Sequence, residues 1–241
     1  MQTAGVVAAG AAAGAAAGYL LGARSRQRRA RDASSEPLDA RALPPCPLAL
    51  LREWLGAAEA ADGWLEARTM TLATSSAAGG ATARSVLLQD ISASGGLIFG
   101  SSAASLKARQ LAADPRAEAV LRWGQRQVRM RGAARRGTAD ETLASWRAQP
   151  LGARLGLAML RQGEPSSEAA YEELRAAFAE RQLSVDAQPA PACPHAGYSA
   201  FVLEPTSFEF YLGGHPGFLN DRFLFVRDDG ADAWRRMRLQ A

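Results

Sequence analysis

From residue 69 onward the sequence runs through short β-prone stretches joined by small, glycine-bearing turns, with helices too few and too irregular to alternate with them. Thr69 to Thr74 and Thr82 to Leu88 flank the segment Ser75 to Gly80 and read as a hairpin. Ala117 to Trp123 and Gln127 to Ala134 form a second antiparallel pair around Gly124. Leu97-Ile98-Phe99 is a short strand between the pairs, and three or four more strands follow between Tyr198 and Leu239. Without regular βαβ alternation a parallel sheet is excluded, and the expected class is mainly β with helices (α+β), a closed antiparallel barrel with helical additions.

The helical signals are local. Pro47 suits the first turn of a helix whose apolar residues Leu48, Leu51, Leu55 and Ala58 recur at three and four, ending near Gly63. A helix from about Ser102 to Ala113 is stopped by Pro115, and Thr138 to Glu141 has the spacing of a capping box opening a helix that stops at Pro150. A further helix over about Glu168 to Gln182 places Tyr171, Leu174 and Phe178 on one face. Arg122, Arg126, Arg129 and Arg131 alternate along the second strand pair and read as one solvated face.

The formal net charge of +4 is local in origin. Arg24, Arg26, Arg28, Arg29 and Arg31 lie in one run; without them 23 basic residues face 24 acidic ones. That balance excludes a nucleic-acid binder that works by counterion release. Cys46 and Cys193 lie in Pro-flanked loops and form no metal-ligand cluster with His195 and His215, so no disulfide framework or structural zinc is expected.

Residues 4 to 23 are uncharged and rich in Ala and Gly. As a helix they would lie outside the core and span roughly 30 Å, about one bilayer core. Gly10, Gly14, Gly18 and Gly22 form a small-residue stripe, and the arginine run follows. Three readings stand: a membrane anchor contacting a bilayer through residues 4–23, a cleaved organelle-targeting segment, or a misassigned start codon. The segmentation is therefore 1–23 as anchor or targeting segment, 24–46 as an Arg-rich and Pro-rich linker, and 47–241 as the domain.

Lys107 is the single lysine of the chain, beside 27 arginines. It follows Gly100-Ser-Ser-Ala-Ala-Ser-Leu, a small-residue loop running into a helix, where hydroxyls and free N–H groups also face an anion. A compact ammonium there suits a phosphate oxygen. A solvated surface lysine is the competing reading.

Several motifs, each weak alone, occur in a telling order: Met70-Thr-Leu-Ala-Thr74, Arg84-Ser-Val-Leu-Leu88, Arg109 to Arg116, Arg126-Gln-Val128, Phe208-Glu-Phe-Tyr211, Asp221-Arg-Phe223 and Trp234 to Leu239. Together they resemble the pyridoxine/pyridoxamine 5′-phosphate oxidase family, which folds as an FMN-binding split barrel, over residues 67 to the carboxyl end. The resemblance implies FMN as cofactor. It assigns Arg84, Ser101 and Lys107 to the FMN phosphate and Gln127 to the flavin. Gln162, Tyr211 (for a family Trp) and Arg222 would reach that flavin from the neighbouring subunit, which implies a homodimer. Arg222 would stabilise negative charge on the reduced ring. Leu106 and Gly163 replace a family arginine and serine.

The substrate half departs from the family. Where a lysine, a tyrosine, an arginine and a serine hold the phosphate of a vitamin B6 substrate, this chain has Gln89, Ser145, Gln149 and Ala153. The Arg-Leu-His segment over the substrate ring reads Phe218-Leu-Asn220. The resemblance implies an FMN-dependent oxidase of the pyridoxamine/pyridoxine 5′-phosphate oxidase type, making pyridoxal 5′-phosphate with oxygen reoxidising the flavin. The alternative on the same scaffold is a neutral or less phosphorylated substrate, consistent with the missing cations. A non-catalytic flavin-binding paralogue and an adaptor at a membrane surface are the rival readings.

Overall fold

The computed structural model describes residues 37–76, 79–183, 192–193, 197–214, 219–227 and 233–240. The amino-terminal apolar segment 4–23, the arginine run, both histidines and Phe218 lie outside them. No helix among the described residues is long and apolar enough to cross a membrane.

Helix α1 (Pro47–Asp62) begins with the expected proline in its first turn and buries Leu50, Leu51, Trp54, Leu55 and Ala58; Leu48, at its start, is half-buried against the core. Gly63, at φ 88°, turns the chain into α2 (Trp64–Arg68). The hairpin β1 (Thr69–Ser76) and β2 (Gly80–Leu87) pairs in unbroken register, Thr74 opposite Thr82 and Leu72 opposite Arg84. After β3 (Asp90–Ile91), β4 (Leu97–Ser102) extends three residues beyond the strand expected from Leu97 to Phe99. Helix α3 (Leu106–Ala113) starts later than the sequence suggested, because Ser105 caps it by accepting the Ala108 N–H.

Strands β5 (Arg116–Trp123) and β6 (Arg126–Arg136) form the second antiparallel pair. The four arginines do not share one face: Arg126 pairs with Trp123, on the side of buried Val128 and Met130, and its guanidinium sits over the Trp54 ring. Arg122 and Arg131 are exposed, whereas Arg129 is ion-paired to Glu118 and Glu209. The capping box of Thr138 and Glu141 opens α4 (Ala139–Ala148). Pro150 ends that helix and begins another, α5 (Leu151–Met159), since proline is as compatible with a helix start as with a stop. Helix α6 (Glu168–Leu183) lies against α5, with Leu174 and Phe178 half-buried and Tyr171 exposed.

The strands form one nine-stranded antiparallel sheet, ordered β2-β1-β5-β6-β7-β4-β3, with β8 (Asp221–Val226) added beside β7 (Tyr198–Leu212) and β9 (Arg235–Arg238) beside β8. The split lies in β7. Its first half, Tyr198 to Leu203, pairs with β4, and its second half, Ser207 to Leu212, pairs with β8, while β6 runs along both. The change falls at a β6 register shift between Arg131 and Gly132, where a Cβ on Gly132 would lie 2.0 Å from the Glu204 carbonyl oxygen. Only glycine permits that approach, and Pro205 sits where the ladder breaks. The core is filled by Trp54, Phe208, Phe210, Phe223 and Phe225, with Trp54 edge-on to Phe210 at 5.3 Å.

The expected linker is at its carboxyl end part of the body. Leu38, Ala40 and Leu43 pack against the core. The Leu38 N–H donates to Asp221 Oδ2 at 2.8 Å, and Arg236 and Arg238 donate to the Leu43 and Leu38 carbonyls.

Candidate functional site

Three inward-facing rows of side chains change from apolar to polar at their ends. On β1 the row Met70, Leu72 finishes in Thr74; on β4 Leu97, Phe99 finishes in Ser101; on β2 Val86 is followed by Arg84 and Thr82. The period of two that buries the core thus delivers two hydroxyls and a guanidinium to one corner. Helix α3 closes it with Lys107 and Gln110, one turn apart and both buried.

Lys107 Nζ donates to Ser101 Oγ at 2.9 Å, and Ser101 Oγ lies 3.2 Å from Ser105 Oγ. Arg84 donates to the Leu72 carbonyl at 3.2 Å, to Thr74 Oγ1 at 2.6 Å, to Thr82 Oγ1 at 2.5 Å and to Gln110 Oε1 at 3.2 Å. Each of these partners is neutral. Burial lowers the Lys107 pKa, and the nearby Arg84 charge lowers it further; burial also lowers that of Arg84. Lys107 moreover sits in the first turn of α3, where the helix dipole favours anions over cations. Neither cation has a carboxylate partner among the described residues, so the corner holds a buried ammonium and a half-buried guanidinium with no fixed counter-charge among them.

Of the residues expected to share a site, Arg84, Ser101 and Lys107 come together. Gln162 lies near them in the loop after α5, where its Oε1 accepts from Ser101 Oγ of the same chain at 3.4 Å. Gln127, Tyr211 and Arg222 form a second group, paired in one row across β6, β7 and β8. Arg222 is ion-paired to Glu209 at 3.1 Å, and Glu209 also meets Arg129 at 3.3 Å. The Arg222 Nε is buried without a hydrogen-bond partner among the described residues. Ser101 stands opposite Ser199 at one end of β7 and Gln127 opposite Tyr211 at the other. Eleven residues of β7 separate these two register positions.

The expected substrate positions form a neutral cluster. Gln89 Nε2 donates to the Ser145 carbonyl at 3.2 Å, and the Ser145 hydroxyl bonds to Gln89 Oε1. Ser145 Oγ and Tyr198 Oη lie 2.7 Å apart, and Gln149 Nε2 donates to Tyr198 Oη at 3.4 Å. Tyr198 is buried edge-on against Trp146 and covers Gly100, where a Cβ would lie 1.8 Å from its hydroxyl. Asn220 is on a separate element, just before β8.

Thr74, Thr82, Gln110 and Tyr198 had escaped the sequence reading. Thr82 has a signal, since it lies two residues from Arg84 on the same strand face. Thr74, Gln110 and Tyr198 become visible only through strand register and helix rotation.

The fold is an antiparallel split barrel, and its cation corner has no carboxylate partner among the described residues. The family model described as pyridoxamine 5′-phosphate oxidase matches residues 57–183, and that of the pyridoxine 5′-phosphate oxidase C-terminal dimerisation region matches 198–241. The chain belongs to the pyridoxine/pyridoxamine 5′-phosphate oxidase family. It is 34% identical over 198 residues to the enzyme of that name from Rubrobacter xylanophilus, covering 81% of this chain and 87% of the relative. To that of Pseudomonas paraeruginosa it is 36% identical over 217 residues, covering 89% and 95%. Among solved structures it resembles PhzG from Burkholderia lata 383, in complex with tetrahydrophenazine-1-carboxylic acid, with TM-score 0.74 and 25% identity over 86% of this chain and all of that one. An FMN-binding protein from Nostoc punctiforme related to pyridoxamine 5′-phosphate oxidase shares the fold, with TM-score 0.67 and 19% identity over 83% of this chain and all of that one. At the level of the family the protein is an oxidase-type flavoprotein that pairs through its carboxyl-terminal region.

Proposed function

We propose that the protein is an FMN-dependent oxidoreductase of small molecules whose cofactor phosphate is held by Arg84, Lys107 and Ser101, with Gln162 beside them. The observation that carries this reading is the buried Lys107 beside the half-buried Arg84, both with only neutral partners among the described residues. Such a pair is unfavourable alone and becomes favourable once a dianion supplies the missing charge. The donor set fits a phosphate: one guanidinium, one ammonium and a hydroxyl.

Tyr211 and Arg222 would complete the site from the second protomer of a homodimer, consistent with the dimerisation region that contains them, and Gln127 would bind the flavin. Bound flavin supplies the two-electron chemistry, accepting a hydride from substrate and passing the electrons to oxygen. Arg222, held by Glu209, would supply the positive charge that favours electron uptake by a bound flavin. Tyr211 offers its ring as a packing surface, and Gln127 an amide to hydrogen-bond the flavin.

Gln89, Ser145, Gln149 and Tyr198 satisfy one another without a charge. None of these four side chains carries a charge, and a dianionic substrate would have to break their mutual bonds, so the favoured substrate is neutral or less phosphorylated than a B6 vitamer phosphate. The purified protein should be yellow with a bound-flavin spectrum. Loaded protein mixed with pyridoxine, pyridoxamine and their 5′-phosphates reports turnover as hydrogen peroxide and aldehyde absorbance. Flavin that cannot be loaded rejects the cofactor assignment. Fast turnover of the phosphates alone rejects the substrate assignment.

A further inference from the structure

Gln110 is buried on α3 with no charge of its own, yet three donors converge on its side-chain oxygen. Thr74 Oγ1 lies 2.7 Å from Gln110 Oε1, Thr82 Oγ1 2.9 Å and Arg84 Nη2 3.2 Å. Arginine can only donate, so the atom facing it is the amide oxygen and the amide orientation is fixed by Arg84. Each threonine has one hydroxyl proton. With that proton directed at Gln110, the lone pairs of both hydroxyls face Arg84, which donates to them at 2.6 and 2.5 Å. One amide oxygen thereby sets the polarity of the whole cradle around the guanidinium.

A carboxylate would accept the same three bonds in nearly the same volume, but it would also neutralise Arg84 and lie one helical turn from Lys107. The uncharged acceptor orients Arg84 while leaving its charge available to a ligand. We infer that Gln110 is a positioning residue for the anion corner: it locks the Thr74–Thr82–Arg84 cradle and, by being neutral, keeps the corner selective for a phosphate-bearing flavin over one without phosphate. This rests on the proposed FMN reading and adds to it the residue that maintains the charge imbalance.

The test compares FMN with riboflavin, which lacks the phosphate, by flavin fluorescence titration of the full-length apoprotein and its Gln110→Glu variant. The parent should prefer FMN. Gln110→Glu should lose about ten- to hundredfold in FMN affinity, the range expected when charge-assisted bonds to an anion are compromised, while riboflavin affinity stays within about twofold. The apo variant should melt no lower than the parent, because the new carboxylate retains the three bonds and pairs with Arg84. Opposite signs for stability and FMN affinity are what a purely structural glutamine would not give. Gln110→Met, which keeps the bulk but removes the acceptor, should also weaken FMN preferentially. Equal loss of both flavins in Gln110→Glu, or FMN binding within about threefold of the parent, overturns the inference. A parent that does not prefer FMN overturns the cofactor reading itself and is recognised before any variant is measured.

Discussion

Lys107 shares its buried corner with Arg84, close enough that the guanidinium charge helps to push the lysine pKa below its ordinary value, and the ammonium bonds there to the Ser101 hydroxyl at 2.9 Å. Two like charges are gathered by three strands and a helix whose other polar groups at this corner are neutral. In the free protein this arrangement opposes folding; with a phosphate bound it favours the complex.

The first prediction concerns the apoprotein. A lysine whose folded pKa is depressed disfavours folding fully below that pKa, and the penalty fades as pH rises toward the unfolded value. Lys107→Met apoprotein should therefore melt higher than the parent near pH 7, with the gap narrowing as pH rises toward 10. Thermal melts across that range measure it. A variant that melts lower at every pH contradicts the unpaired-cation reading.

The second concerns subunit sharing. Lys107→Met and Arg222→Ala damage opposite halves of the proposed site, so each homodimer should be impaired. Refolded together from equal amounts, random pairing leaves one intact site in each mixed dimer, and roughly a quarter of parental sites should recover. No recovery in dimers shown to have mixed would place both halves on one protomer.

The third concerns the substrate cluster. Gln89→Lys introduces a cation beside Ser145 and should strengthen binding of pyridoxine 5′-phosphate relative to pyridoxine by about tenfold, as expected for one charge-assisted bond. Perturbation of the bound-flavin spectrum gives both affinities. An unchanged ratio would separate Gln89 from the substrate.

The fourth concerns the segment over β8 and β9. Truncation before Pro37 removes none of the described contacts, whereas truncation before Pro47 removes Leu38 and Leu43 from the core and the Leu38 N–H from Asp221. The longer truncation should lower stability by about 2 kcal/mol or more, given the worth of burying such side chains. Denaturant melts of the two forms provide the comparison.

A fifth prediction uses the capping box. Glu141 is held down to about 2 by Arg135 and by the Thr138 N–H. Its stabilising contribution is present above its ordinary pKa and lost as pH falls toward 2. Thr138→Ala should cost about 1 kcal/mol at neutral pH, as N-cap losses do. Urea unfolding at pH 7 reads that loss directly.

The hairpins, the capping box and the run of strands were legible because their signals are local: glycine turns, alternation and Thr-x-x-Glu spacing. Helix α5 was not, since Pro150 marks a helix start as readily as a stop. Arg126 was assigned to the solvated face because the turn at Gly124 and Gln125 reverses which side each residue meets, and only the register resolves that. Residues 37–43 look like linker by composition, and their docking depends on Asp221, Arg236 and Arg238 nearly two hundred positions away. Lys107 stands out as the single lysine after a small-residue loop, whereas Arg84 and Ser101 are assigned by resemblance. Gln110, which joins Arg84 to the helix carrying Lys107, depends on contacts 26 to 36 residues apart and carries no motif.

The most direct test is a fluorescence titration of the parent and of Lys107→Met apoproteins with FMN and with riboflavin. The parent should bind FMN more tightly than riboflavin. The variant should lose one to two factors of ten for FMN alone, about 1.4 kcal/mol each, with riboflavin unaffected. A variant that binds FMN as tightly as the parent would show that the buried corner does not hold the phosphate.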